Sequence, residues 1–169
     1  MRFLTIFLFF ICTTLANSAT DIKNLVINKE LKKIDSLTFL DAQNNKVSLD
    51  NYRGKLILIN FWASWCAPCK EEMPSLDLLQ KNKKLANLKI FPINVGQDKV
   101  EKADKFFKDL KIKNLELYFD TSISLTKKFA LRGIPTSILI NKEGEEFARI
   151  IGSINFNDKK FIDWLISYD

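Results

Sequence analysis

Leu56-Ile57-Leu58-Ile59-Asn60-Phe61-Trp62-Ala63-Ser64-Trp65-Cys66-Ala67-Pro68-Cys69-Lys70-Glu71-Glu72-Met73-Pro74 is the stretch that decides the fold. It begins, after Arg53-Gly54-Lys55, with an almost continuous apolar run, the mark of a strand buried on both faces. From Cys66 to about Lys84 the apolar residues Met73, Leu76, Leu79 and Leu85 follow helical spacing, with Pro74 inside, where it is expected to kink the helix. A cysteine therefore sits where a buried strand gives way to a helix.

That position has chemical consequences. Cys66 should lie near unpaired backbone N–H groups at the positive end of a helix dipole, which favours the thiolate, the attacking species. Two residues between Cys66 and Cys69 let one helical turn bring both sulfurs together as a reversible disulfide. Pro68 falls in the first turn, where its missing N–H costs little. Cys66 is expected to enter the mixed disulfide and the more buried Cys69 to resolve it. A structural disulfide is a weak alternative, because a two-residue loop gains little loop-closure entropy. A Cu(I) clip on the two sulfurs is a third reading.

Working outward, Leu37 to Leu40 and Lys46 to Leu49 flank the turn-rich Asp41-Ala42-Gln43-Asn44-Asn45 and suit a β-hairpin. Leu88 to Val95 reads as a second buried strand. Asp98 to Leu110 carries Val100, Ala103, Phe106, Phe107 and Leu110 at helical spacing, a crossover that returns the chain to a parallel sheet. Leu115 to Phe119 is short and apolar, Ser122 to Leu131 helical, Thr136 to Ile140 a strand, and Phe147 to Ile151 a strand beyond the turn at Asn141-Lys142-Glu143-Gly144. Asp158 to Tyr168 ends the chain as an amphipathic helix. The order β-hairpin, β, α, β, α, α, β, β, α describes an α/β domain with a mixed sheet covered on both faces. Residues 20–36 form a polar, basic lead-in that reads as a short helix or an edge strand, and residues 37–169 form the domain proper.

Composition narrows the chemistry further. The 169 residues contain no histidine, which excludes Ser-His-Asp triads, Cys-His pairs, His-containing zinc sites and imidazole proton shuttles. Any general acid or base must be a carboxylate, Lys, Tyr or Cys. With three cysteines, a closed four-Cys zinc site within one chain is excluded as well. The formal charge of +6 does not point to nucleic acid, because the lysines are spread among Asn, Asp and Glu. Lys81-Asn82-Lys83-Lys84, the densest run, reads as the solvated end of a helix.

The N-terminus reads as an address. Arg2 precedes the apolar Phe3 to Ile11, and small or polar residues follow from Thr13 to Thr20, the layout of a secretory signal peptide over residues 1–19. Thr14-Leu15-Ala16 is the best cleavage candidate, with Ala16-Asn17-Ser18 second. The run from Phe3 to Ala16 is shorter than the ~20 residues of a spanning helix, so cleavage is expected, with an uncleaved anchor as the alternative. Cys12 lacks a small residue before it and is a passive apolar residue. The mature chain is then expected in the periplasm or an equivalent extracytoplasmic space, where disulfides persist.

The segment from Asn60 to Pro74 resembles the active-site segment of thioredoxin-like proteins, and is closest to the TlpA/ResA group of extracytoplasmic thiol reductases. Arg132-Gly133-Ile134-Pro135-Thr136 resembles the loop that carries that family's cis-proline opposite the disulfide. The resemblance implies a thioredoxin fold, a central mixed sheet flanked by helices, here with an N-terminal β-hairpin extension. It implies the redox pair Cys66–Cys69, with Trp65, Pro68, Ile134 and Pro135 bordering the docked client. Where thioredoxin has a buried aspartate, this chain has Asn60, which cannot take a proton. The resemblance assigns that task to Glu72, on the same helical face as Cys69; Glu71 reads as a solvated helix-start acid. Pro135 could also merely stop a helix, but a strand follows it directly. Implied partners are client proteins with disulfides or cysteine pairs, such as apocytochrome c or copper-site proteins, and a membrane thiol carrier as electron donor. No cofactor, metal or nucleic acid is implied, and a monomer is expected. A peroxiredoxin-like peroxidase is disfavoured, because no Pro-x-x-x-Thr-x-x-Cys pattern precedes Cys66.

Overall fold

Residues 22–169 are described by the structure, a computed structural model; the leader expected over residues 1–19 lies outside them. One sheet of eight strands organises the chain, in the order β1-β8-β7-β4-β5-β6-β2-β3. At its centre β4 (Leu56–Trp62) is buried at every position, as a strand covered on both faces must be. It runs parallel to β5 (Leu88–Asn94) and antiparallel to β7 (Thr136–Ile140), which in turn pairs with β8 (Glu145–Ile151).

Side chains alternate across β4 and sort the core into two clusters. Leu56, Leu58 and Trp62 pack with residues of α1 (Ala67–Gln80), α2 (Val100–Asp109) and α4 (Lys159–Ile166). Ile57, Ile59 and Phe61 face the other way, toward Phe91, Ile138 and Leu125 of α3 (Ser124–Lys128). Trp62 stacks on Phe106 and Phe107 at centroid distances of 4.7 and 5.4 Å, fastening the end of β4 to α2. Helix α1 runs through Pro74, and the Lys81–Lys84 run lies just beyond its end.

The hairpin of β2 (Thr38–Asp41) and β3 (Lys46–Ser48) forms as expected, its turn closed by Asp41 Oδ1 accepting from the amides of Gln43 and Asn45. It joins the sheet through β6 (Tyr118–Phe119). The lead-in resolves to an edge strand: β1 (Leu25–Lys33) pairs antiparallel with β8, with a register shift between Ile27 and Lys32. The third helix is shorter than its apolar pattern suggests. Ile123 and Ala130 both take left-handed backbone, φ 57° and 48°, and neither can continue an α-helix. Among the described residues no helix is long and apolar enough to cross a membrane.

Candidate functional site

Strand β4 delivers the chain to the site, and a polar clasp fixes the delivery. Beyond Trp62, the carboxylate of Asp98 accepts from the Ser64 amide and the Ser64 hydroxyl, both at 2.8 Å, from Asn94 Nδ2 at 2.8 Å and from Lys102 Nζ at 2.7 Å. Burial works to raise its pKa, but these donors prevail and hold it at about 2. Gly96 lets the β5–α2 connection pass close by. A Cβ there would stand 2.4 Å from Ala63 Cβ and 3.0 Å from Trp65 Nε1. Trp65 is left 66% exposed at the rim.

Cys66 is the N-cap of α1, and its sulfur accepts from the Cys69 amide at 3.3 Å, so it occupies the electropositive end of the helix. The two cysteines are joined as a disulfide with Cα atoms 5.3 Å apart. Cys66 keeps 5% of its surface in solvent and Cys69 none. Pro68 lies in the first turn, exposed.

Ile134–Pro135 is a cis peptide, the feature that the family resemblance implies. Phe61 pairs with Thr136 across β4 and β7, so the proline lies at the same end of the sheet from which β4 leads to Cys66. Pro135 is buried, whereas Ile134 is half-exposed and packs against both core clusters.

The same register places Asn60 opposite Ser137. Asn60 Nδ2 donates to Ser137 Oγ at 3.0 Å and to Glu72 Oε1 at 2.8 Å, and the Ile154 amide donates to Glu72 Oε2 at 3.3 Å. Glu72 is 2% exposed, and Glu71, its neighbour in sequence, points to solvent. Burial pushes the Glu72 carboxyl up to about 7, against the opposing pull of the Asn60 and Ile154 donors. A carboxyl thus held near neutrality, one helical turn from Cys69, can take or return a proton at ordinary pH.

Three parts of this site escape a reading of the sequence. Ser137 carries a faint signal, as a hydroxyl inside a strand otherwise apolar from Ile138 to Ile140. Asp98 reads as no more than the start of a helix, and a buried acceptor has no local sequence signal. The Ile154 amide leaves no trace in sequence at all.

Comparison with known proteins agrees with this geometry. A family model described as Redoxin matches residues 16–160. The thiol-disulfide oxidoreductase ResA of Bacillus subtilis (strain 168) is 30% identical over 114 residues, covering 68% of this chain and 63% of that protein. ResA of Geobacillus kaustophilus (strain HTA426) is 30% identical over 118 residues, 70% of this chain and 67% of the relative. The match thus spans about two thirds of the length of these relatives. The crystal structure of StoA from Bacillus subtilis superposes with a TM-score of 0.64 at 26% identity, covering 78% of this chain and 96% of that one. With a family match over most of its length and a disulfide at the start of the helix that follows the central strand, the chain belongs to the redoxin family, among its ResA/TlpA-like thiol–disulfide oxidoreductases.

Proposed function

We propose that this chain reduces disulfides in client proteins outside the cytoplasm through a dithiol–disulfide cycle at Cys66 and Cys69. The observation that carries the reading is the joined cysteine pair beside a buried carboxyl held at about 7. In the reduced enzyme the Cys66 thiolate attacks one sulfur of a client disulfide, and the other client sulfur leaves as a thiolate. Cys69 gives its proton to Glu72 and attacks Cys66 Sγ, which breaks the mixed disulfide and releases the second client thiolate. Two electrons pass to the client, and the enzyme ends as the Cys66–Cys69 disulfide. An external dithiol, in this reading a membrane thiol carrier, restores it.

Trp65, Pro68, Ile134 and Pro135 form the docking rim, where an extended client strand would lie against the backbone before the cis-proline. Extracytoplasmic placement rests on the signal-like residues 1–19. The clients are proteins presenting accessible disulfides, with apocytochrome c or copper-site cysteines as the implied examples, and the enzyme works as a monomer.

Insulin-disulfide reduction with an added dithiol tests the reading. Turnover that disappears in Cys66→Ser, and a client trapped covalently by Cys69→Ser, are the expected results. Stoichiometric copper retention without insulin reduction would replace it with the metal-clip reading.

A further inference from the structure

Four consecutive residues, Ile151 to Ile154, tie together parts of the molecule that the exchange chemistry uses and one part that it does not. The Gly152 amide donates to the Pro135 carbonyl at 2.9 Å, extending the β7–β8 ladder to the cis-proline. Two residues on, the Ile154 amide donates to Glu72 Oε2. Between and beside these bonds stands Asn24, ahead of β1. Its carbonyl accepts from the Ile151 amide at 3.0 Å, and its side-chain Nδ2 donates to the Ser153 carbonyl at 3.0 Å. Asn24 therefore grips the turn on both sides of Gly152.

The fit between the two is close. Asn24 adopts left-handed backbone, φ 62°, which asparagine tolerates better than most residues. Gly152 is at φ +98°, and a Cβ there would meet Asn24 Nδ2 at 3.1 Å. A bulkier residue at 152 would both strain the turn and push against the amide that holds it.

We infer that Asn24 is a positioning residue for the exchange reaction, latching the Gly152–Ile154 turn so that one end fixes the cis-proline loop and the other fixes the Glu72 carboxyl. The inference rests on the proton-transfer role given to Glu72 above. Loss of the Asn24 side-chain donor frees the Ser153 carbonyl, and the Ile154 amide is then no longer held toward Glu72. A carboxylate that loses a donor to its charged form becomes a weaker acid. Among the described residues, Glu71 from its own helix and Lys23 from the N-terminal segment line the same surface pocket as Glu72, together with the neutral Ser75, Ser153 and Asn155. Asn60 and Ser137 on the buried side are neutral too, and Cys69 lies one turn earlier on the helix.

The test uses the oxidised full chain with ¹³C-labelled glutamate carboxyls, following the Glu72 resonance against pH. Asn24→Gly keeps the left-handed backbone accessible and removes only the side-chain donor. Asn24→Asp keeps the shape but cannot donate to Ser153. Both are expected to retain the fold and move the Glu72 midpoint upward by about 0.5 pH unit. The pH profile of insulin reduction by the wild type and each variant should shift in parallel. In a Glu72→Gln background Asn24→Gly should leave that profile where it was. An unchanged Glu72 midpoint in both variants, or a loss of fold in both, overturns the latch. If Glu72→Gln alone leaves the turnover profile unaltered, the role of Glu72 fails first; if Glu72→Gln alters it and the Asn24 variants do not, the latch alone fails.

Discussion

Asn60 Nδ2 lies 2.8 Å from Glu72 Oε1, joining the central strand to the redox helix through a neutral donor and an acid that burial has weakened. A donor with no charge steadies the carboxylate without locking it in that form, so the acid stays usable near neutral pH.

A stability signature follows in the oxidised protein, where neither sulfur titrates. Because the folded Glu72 holds its proton up to about 7, above its ordinary value of 4.5, the native state binds more protons between those limits. Unfolding free energy should therefore fall as pH rises through that window, by roughly 3 to 4 kcal/mol at about 1.4 kcal/mol per unit. Thermal melts of wild type and Glu72→Gln across pH 4 to 8 check it: the variant should lack the decline, and Glu71→Gln should retain it.

In the reduced protein, under the role proposed for Glu72, the same substitution removes the carboxylate one helical turn from Cys69 and with it the proton acceptor. Glu72→Gln is expected to lower the Cys69 thiol pKa and to slow resolution of the mixed disulfide by about 10²-fold, the low end of general-base contributions. Stopped-flow release from a pre-formed mixed disulfide measures this, and Glu71→Gln serves as control.

Cys66, 5% exposed against none for Cys69 and placed at the helix start, should be alkylated before Cys69 in the reduced chain. Mass mapping after brief iodoacetamide treatment reads the order directly. Labelling of Cys69 first would reverse the assignment of attacking and resolving sulfurs.

The Asp98 clasp predicts an acid limb. With a folded pKa of about 2 against an ordinary 3.8, Asp98 lends stability that is present above about pH 4 and lost as pH falls toward 2. Asp98→Asn should remove that limb and cost about 2 kcal/mol at pH 7, since it disturbs charge-assisted bonds to Ser64 and Lys102. Chemical denaturation at pH 3 and pH 7 tests both statements.

Gly96→Ala presses a methyl against Ala63 and the Trp65 ring. Overpacking of this kind costs about 1–3 kcal/mol. Because Trp65 sits at the rim, KM for insulin should rise by more than kcat falls. Equal effects on both parameters would argue that the tryptophan does not touch the client.

The cysteine pair, the central strand and the loop at Pro135 are legible in the sequence because each announces itself over a few adjacent residues. A buried strand reads as an apolar run, and an X-Pro step directly before another such run marks a loop at a strand start. Glu72 is legible through family resemblance; nothing in Lys70-Glu71-Glu72 alone says which glutamate is buried. Asp77 and Asp98 are not legible as structural residues. Asp77 looks like a helix-surface acid, yet it is buried and accepts from the amides of Lys113, Asn114 and Leu115. Such acids satisfy backbone donors from distant loops, and hydrophobic periodicity carries no record of that. The third helix reads too long for a related reason, since the left-handed turns at Ile123 and Ala130 bound it on non-glycine residues.

The pairing of β1 with β8 makes the order of synthesis matter. Asn24 meets Ser153 across 129 positions, so the first strand has no place to dock until nearly the whole chain has emerged. Contacts of such long range form late, and until they form the growing polypeptide lacks one border of its sheet. Under the export proposed above, a chain threaded through a membrane pore before it folds gains from this delay: it stays passable during transit, and its redox helix and cis-proline come under the grip of Asn24 only on the far side.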